Sequence, residues 1–174
     1  LGDVYKRQVN GVREFQKDRG ETFAGPSAGS FVLAVQDAVI AAENAVIAAE
    51  SLGIGSCYIG DIMEQKEYHK TLFNLPEYVF PVAMLTLGYY PEDYMVPLKE
   101  RFAEKYVVFE ERYNELSKED IDDMFRKRDQ LFTAKNKYNA KNYAQMHYNF
   151  KVKAPFSKEM QRSVEEALKE WDKK

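Results

Sequence analysis

Cysteine is almost missing from this chain: Cys57 stands alone among 174 residues. A single thiol forms neither an intramolecular disulfide nor a multi-cysteine metal site, which fits a reducing compartment and points to a cytoplasmic location. Cys57 itself reads as a small core residue. Histidine is nearly as scarce, with only His69 and His147. The carboxylates are numerous but scattered, and no spacing singles out an acid–base pair or a metal site, so neither a metal nor a catalytic side chain is expected. Long apolar runs are lacking as well. None exceeds five residues, as at Ala38–Ala42 and Ala45–Ala49, against the roughly 20 that a membrane-spanning helix needs, and the expectation is a soluble chain. No basic start followed by an apolar segment and a small-residue cleavage site is visible, so no secretion signal is expected. Nor is there an excess of one charge. With 25 Lys and Arg against 28 Asp and Glu, the balance gives no reason to expect a nucleic-acid or membrane surface.

What is present is a globular composition, 45% hydrophobic and 30% charged, on a length that suits one domain around one core. The opening LGDVYKRQ resembles adaptor-derived strings found at the ends of shotgun-sequenced translations, which sets residues 1–8 apart as candidate foreign sequence. Residues 9–29 are polar and glycine-rich and read as loop. In SFVLAVQDAVIAAENAVIAAESLG the polar positions fall in pairs, Gln36–Asp37, Glu43–Asn44 and Glu50–Ser51. A spacing of seven is two helical turns, so the pattern predicts a long helix with one narrow polar stripe. Such a helix needs cover on several sides, by its own core and by a second subunit. Ser30 is its candidate N-cap, and Gly53 sits where a left-handed residue ends a helix.

Further on, Ser56–Ile59 is short and strand-like. Asp61 with Glu64 has the spacing of a capping box and predicts a helix from Ile62 to about Leu72. A buried strand is expected from about Val82 to Leu87, closed by Gly88 and Pro91. LKERFAEKYVVFEERY reads as mixed and extended. Two polar-faced helices, near Ser117–Leu131 and Ser157–Trp171, each open on a serine, and the Asn-, Lys- and Tyr-rich stretch between them reads as an irregular arm.

Several motifs invite chemistry. Gly53 and Gly55 begin a dinucleotide fingerprint, but its third glycine would fall at Tyr58, and these glycines follow a helix where the fingerprint needs a preceding strand. A helix stop and a turn explain them better. GPSAG around Ser27 matches a nucleophile elbow, yet ETFA is too short and polar to be the buried strand an elbow requires. Lys99 and Arg101 lie one residue apart in an extended-looking segment, which would put both cations on one face. They are open to two readings, a solvated surface pair or a grip on one phosphate group. The 12 tyrosines and 11 phenylalanines supply a core and enough aromatic surface for an apolar slot that takes a planar ligand.

Taken together, DAVIAAENAVIAAESLGIGSCYIGDI, LFNLPEYVFPVAMLTLGYYPED, LKERF and YVVFEERY resemble the nitroreductase family of FMN-dependent NAD(P)H oxidoreductases, most closely its oxygen-insensitive NADPH nitroreductase branch. The resemblance runs from about Val35 to Tyr113 and fades in the tail. It implies an α+β fold, a single nitroreductase-like domain over residues 1–174 with a mixed sheet wrapped by helices and a helical C-terminal arm over 117–174. It also implies an intertwined homodimer with FMN at the subunit interface. By the same resemblance Tyr58, Ile59, Gly60 and Asp61 pass their backbone along the flavin ring, while Lys99, Glu100 and Arg101 lie at the FMN phosphate and ribityl chain. The implied reaction is ping-pong: NAD(P)H reduces the flavin, then a nitroaromatic, quinone or similar acceptor is reduced. The departures are informative. The family's arginine-containing FMN motif is not recognisable in residues 1–34, which reads as an N-terminally incomplete chain. Asp61 stands where the branch carries a second glycine, Met63 near an expected arginine, and Phe109 at an expected histidine, which bears on the choice between NADPH and NADH. A flavin-binding or dimerisation module without turnover is the alternative, and the upstream segment separates the two.

Overall fold

The computed structural model describes residues 20, 25–95, 98, 100–133 and 135–172. They form two compact units, one of residues up to Glu92 together with those from Lys158 onward, the other Asp93–Ser157.

The first unit opens on α1, Ala28–Ser51. Its start is written in local sequence, but three residues earlier than Ser30. Ser27 is the N-cap and takes the Ser30 N–H at 3.2 Å, while the Ser30 hydroxyl accepts from the Ser27 N–H. Each serine therefore satisfies one of the N–H groups that a helix start leaves unpaired. At the other end Gly53 adopts φ +72°, the left-handed stop expected from its position. By length and composition α1 could cross a membrane, with a mean hydropathy of 1.6 over its best window. Counting unbroken runs missed this because polar pairs two turns apart interrupt the apolar residues without lowering their average. Within the unit α1 buries Phe31, Ala42 and Ala49, and Phe31 joins the core cluster. Much of its apolar surface is left uncovered in the chain, including Leu33, Ile40 and Ile47, each at least 60% exposed.

Strand β1, Ile54–Ile59, pairs antiparallel with β2, Met84–Tyr89, in the register Ile54 with Tyr89 through Ile59 with Met84. These two strands are the whole sheet among the described residues. Gly55 is therefore a mid-strand residue and no turn. Its missing Cβ makes room for the Tyr90 ring, which lies where that atom would stand. Both strands lie close to the expected positions, but their faces are half-exposed, and Cys57 is exposed where a core residue was expected.

After β1 comes a 3-10 turn, Gly60–Met63, and then α2, Lys66–Leu72. No capping box forms at Asp61: neither element start carries a side-chain cap of its own. The N-terminus of α2 is instead satisfied from α5, Pro155–Trp171. The Gln65 N–H donates to Glu159 Oε1 at 3.1 Å and the Lys66 N–H to Ser163 Oγ at 2.9 Å. Charge reinforces the joint. Arg162 grips both oxygens of Glu67, and Lys66, only 5% exposed, reaches Glu170 at 2.6 Å. Phe31, Phe80, Ala167 and Trp171 form the core cluster, with the Phe31 and Trp171 rings edge-on at 5.2 Å. Ser157 lies inside α5 and does not open it.

The second unit holds a 3-10 turn at Glu104–Tyr106 and α3, Lys118–Gln130. The cap of α3 is the expected one: Ser117 accepts from the Asp120 N–H at 3.1 Å, and Asp120 returns a carboxylate to the Ser117 N–H at 3.0 Å. The stretch read as an irregular arm contains α4, Tyr143–His147, which runs on into a π-helical turn, Tyr148–Val152. Asn142 caps it by accepting from the Gln145 N–H. The composition masked a short helix whose start signal is one asparagine.

Candidate functional site

The residues expected along a flavin ring sit where β1 ends. Tyr58 is 40% exposed, and its hydroxyl donates to Glu43 of α1 at 3.2 Å. Partial desolvation, followed by the Glu43 carboxylate, raises that hydroxyl above the ordinary phenol range. Ile59 closes the strand opposite Met84. Gly60 is exposed, has no left-handed backbone, and would meet nothing within 4 Å if it carried a Cβ. Nothing among the described residues requires glycine there. What it offers is a bare backbone facing open space, to which a planar group can come close. Asp61 is exposed in the turn that follows, with its carboxylate uncommitted to any cap.

The first unit also contains a larger cavity of about 550 Å³, lined by Phe31, Phe80, Trp171, Ile62 and Met84 among others, with Asp37 its one charged wall residue. It does not include Tyr58–Asp61. Its size and apolar walls suit a planar organic group, and it is formed by the hydrophobic core opening beside α1.

The basic motif belongs to the second unit. Lys99 lies outside the described residues, so its expected alignment with Arg101 is likewise outside them. Glu100 and Arg101 line a cleft of about 230 Å³ together with residues of α3, including Lys127 and Arg128. Glu100 accepts from Lys127 Nζ at 2.5 Å, which raises the lysine above its ordinary value. In the same cleft, Asp123 takes the Tyr106 hydroxyl, Lys105 at 3.2 Å and Arg126 at 2.8 Å. The Tyr106 hydrogen bond, then Lys105, holds its carboxyl below the usual range. Arg101 is exposed and has no ion-pair partner among the described residues. A cleft of this volume is too small for a flavin ring and large enough for a phosphate group. The sequence singled out Glu100 and Arg101 and not Lys127 and Arg128, which line the same cleft; the available signal was the run FRKR after the acidic first half of α3.

The other candidates dissolve. Ser27 caps α1, bonded to Ser30 and to no histidine. His69 contacts the Glu64 carbonyl through Nδ1 at 2.8 Å.

Residues 11–89 match the Nitroreductase family. The match begins upstream of Val35 and ends at Tyr89, before LKERF. A Cr(VI) reductase of Pseudomonas sp. strain G-1 is 38% identical over 72 residues, 41% of this chain and 30% of the relative. Among solved structures, Bacillus megaterium NfrA2 superposes with a TM-score of 0.71 at 27% identity, covering 95% of this chain and 66% of that one. The NADPH:FMN oxidoreductase from Vibrio harveyi complexed with NAD+ superposes at 0.65 with 22% identity, covering 90% and 63%. The chain thus spans about a third of the curated relative and just under two thirds of these structures. It carries the α+β nitroreductase fold, and the similarity to the Nitroreductase family lies in residues 11–89.

Proposed function

We propose, from this nitroreductase-family sequence and fold as premise, that the chain is part of an FMN-dependent NAD(P)H oxidoreductase. It would pass electrons to nitroaromatics, quinones or similar acceptors by a ping-pong cycle in the reducing cytoplasm. FMN, when bound, supplies the two-electron chemistry, accepting hydride from NAD(P)H and giving it to the acceptor. This chain's own residues hold and orient. The Tyr58–Asp61 backbone would lie along the ring, where a main-chain N–H would stabilise developing negative charge. Lys99, Glu100 and Arg101 would lie at the phosphate and ribityl end, with the two cations gripping the phosphate. No acid–base side chain is assigned in this segment, since positioned N–H groups perform the electrostatic task.

The observation that carries the reading is Gly60, a glycine that neither its own dihedral angles nor any neighbour calls for. Such a residue fits a surface reserved for close approach of something other than this chain. The uncovered apolar residues of α1 support a homodimer, because a second copy would bury what one chain leaves exposed.

Expression with added FMN should give a yellow protein that runs as a dimer, bleaches on NADPH or NADH, and regains colour when a quinone is added. A colourless protein indifferent to FMN would sink the proposal.

A further inference from the structure

The basic cleft of the second unit has a charge pattern that the motif around Arg101 does not explain. Five cationic side chains line it, Arg101, Lys105, Arg126, Lys127 and Arg128, against two carboxylates, Glu100 and Asp123. Both carboxylates are spoken for: Glu100 by Lys127, Asp123 by Lys105 and Arg126. Two guanidinium groups are left without a carboxylate among the described residues, those of Arg101 and Arg128.

Arg128 is held in a particular way. Its guanidinium carbon lies 3.8 Å from the centre of the Phe102 ring, and Phe102 in turn meets Phe125 edge-on at 5.4 Å. Stacking on an aromatic face uses the flat of the guanidinium and leaves its in-plane N–H donors free to point outward. Phe102 follows Arg101 directly, so the stack ties the segment bearing the first free guanidinium to the helix bearing the second. Two guanidiniums match the charge of a phosphate monoester, about −1.5 to −2 at neutral pH, and their planar forks match its oxygens.

We infer that α3 supplies the second half of a phosphate-monoester site. Arg128 donates to the same phosphate as Arg101, and Lys127 is a positioning residue that holds the Glu100 carboxylate away from it. This rests on the flavin reading above, and FMN is the phosphate monoester concerned. Without Lys127, the Glu100 carboxylate would pair with Arg101 or face the phosphate, and either would weaken binding.

Riboflavin is FMN without the phosphate, so the ratio of the two affinities isolates the cleft from the ring site. Titrating both by flavin fluorescence, Arg128→Ala should lose about 10- to 100-fold for FMN, with riboflavin affinity unchanged. Arg128→Lys should recover part of the loss. Lys127→Ala should lose about 10-fold for FMN alone, and adding Glu100→Gln to it should restore binding, because no stray carboxylate remains. An FMN to riboflavin ratio unchanged in Arg128→Ala, whether both affinities hold or both fall together, overturns the role of Arg128. Failure of Glu100→Gln to rescue overturns that of Lys127. A wild-type protein that binds neither flavin sinks the flavin reading, and phosphorus NMR with inorganic phosphate then decides the cleft. Broadening seen with the wild type and lost in Arg128→Ala upholds an anion site, and no broadening overturns it.

Discussion

The two units are held together by different physics, and they offer a ligand different things. The first is built on apolar contact: Phe31, Phe80, Ala167 and Trp171 are buried against one another, and the surfaces it presents are a bare backbone at Gly60 and an apolar cavity. In the second, Tyr106 and Ala140 are the buried hydrophobic residues among those described, and ion pairs with cation–aromatic stacks take the place of a core. It presents unpaired guanidiniums. A unit rich in apolar burial can spare backbone for a ring, whereas one organised by charge pairs can leave a cation over.

The sharpest way to break this contrast is at the charged end. Replacing Lys99 and Arg101 together with alanine should cost about 3–6 kcal/mol of FMN binding, one charge-assisted hydrogen bond for each cation. Gel filtration should then give colourless protein of unchanged circular dichroism, and retained flavin would refute the assignment. At the apolar end Trp171→Ala, which empties a site 3% exposed, should cost about 3–5 kcal/mol of stability. Urea unfolding would measure it, and a loss below about 1 kcal/mol would mean that the first unit is not core-dependent.

Two serines sharpen the comparison further. Ser163→Ala leaves the Lys66 N–H buried without a partner, a loss of about 1–3 kcal/mol. Ser117→Ala removes an exposed cap, which water partly replaces, and should cost only about 1 kcal/mol. Equal losses would show that the joint between α2 and α5 is no tighter than an ordinary helix start. The smallest effect is electrostatic. Arg162 holds Glu67 down to about 2 from 4.5. The folded value lies below the unfolded one, so the stabilisation is complete above the unfolded value and fades as pH falls from there towards 2. Since the Glu67 side chain is 60% exposed, solvent screening leaves no more than about 1 kcal/mol. Glu67→Gln should flatten the acid limb of a stability–pH curve by that amount, and an unaltered limb would remove the pair from the account.

What was legible in the sequence was local. The seven-residue spacing of polar pairs gave α1, Gly53 gave its end, and Ser117 gave the start of α3, because each depends on backbone and side chains within one or two turns. Lys99 and Arg101 could be singled out for the same reason, as cations one residue apart, while Glu100 came only with the resemblance of LKERF. The failures share a cause. Ser27 is the cap and Ser30 its partner, the reverse of the expectation, since either serine satisfies the pattern and only backbone geometry separates them. Asp61 and Glu64 have capping-box spacing, yet α2 starts later, where α5 brings Glu159 and Ser163 to its first N–H groups. A short helix can borrow its cap from a segment far away in sequence, and spacing cannot see that. Cys57 looked like core, but a two-stranded sheet leaves its outer faces to solvent.

The sequence by itself therefore determined the elements whose signals lie within a few residues, and the resemblance that names the fold. Tertiary structure alone decided that Gly60 faces open space, that Lys127 occupies the carboxylate of Glu100, and that Arg128 lies over Phe102 beside Arg101. These are statements about which charges are cancelled and which are left over, and charge balance at a site depends on groups that folding brings from separate parts of the chain.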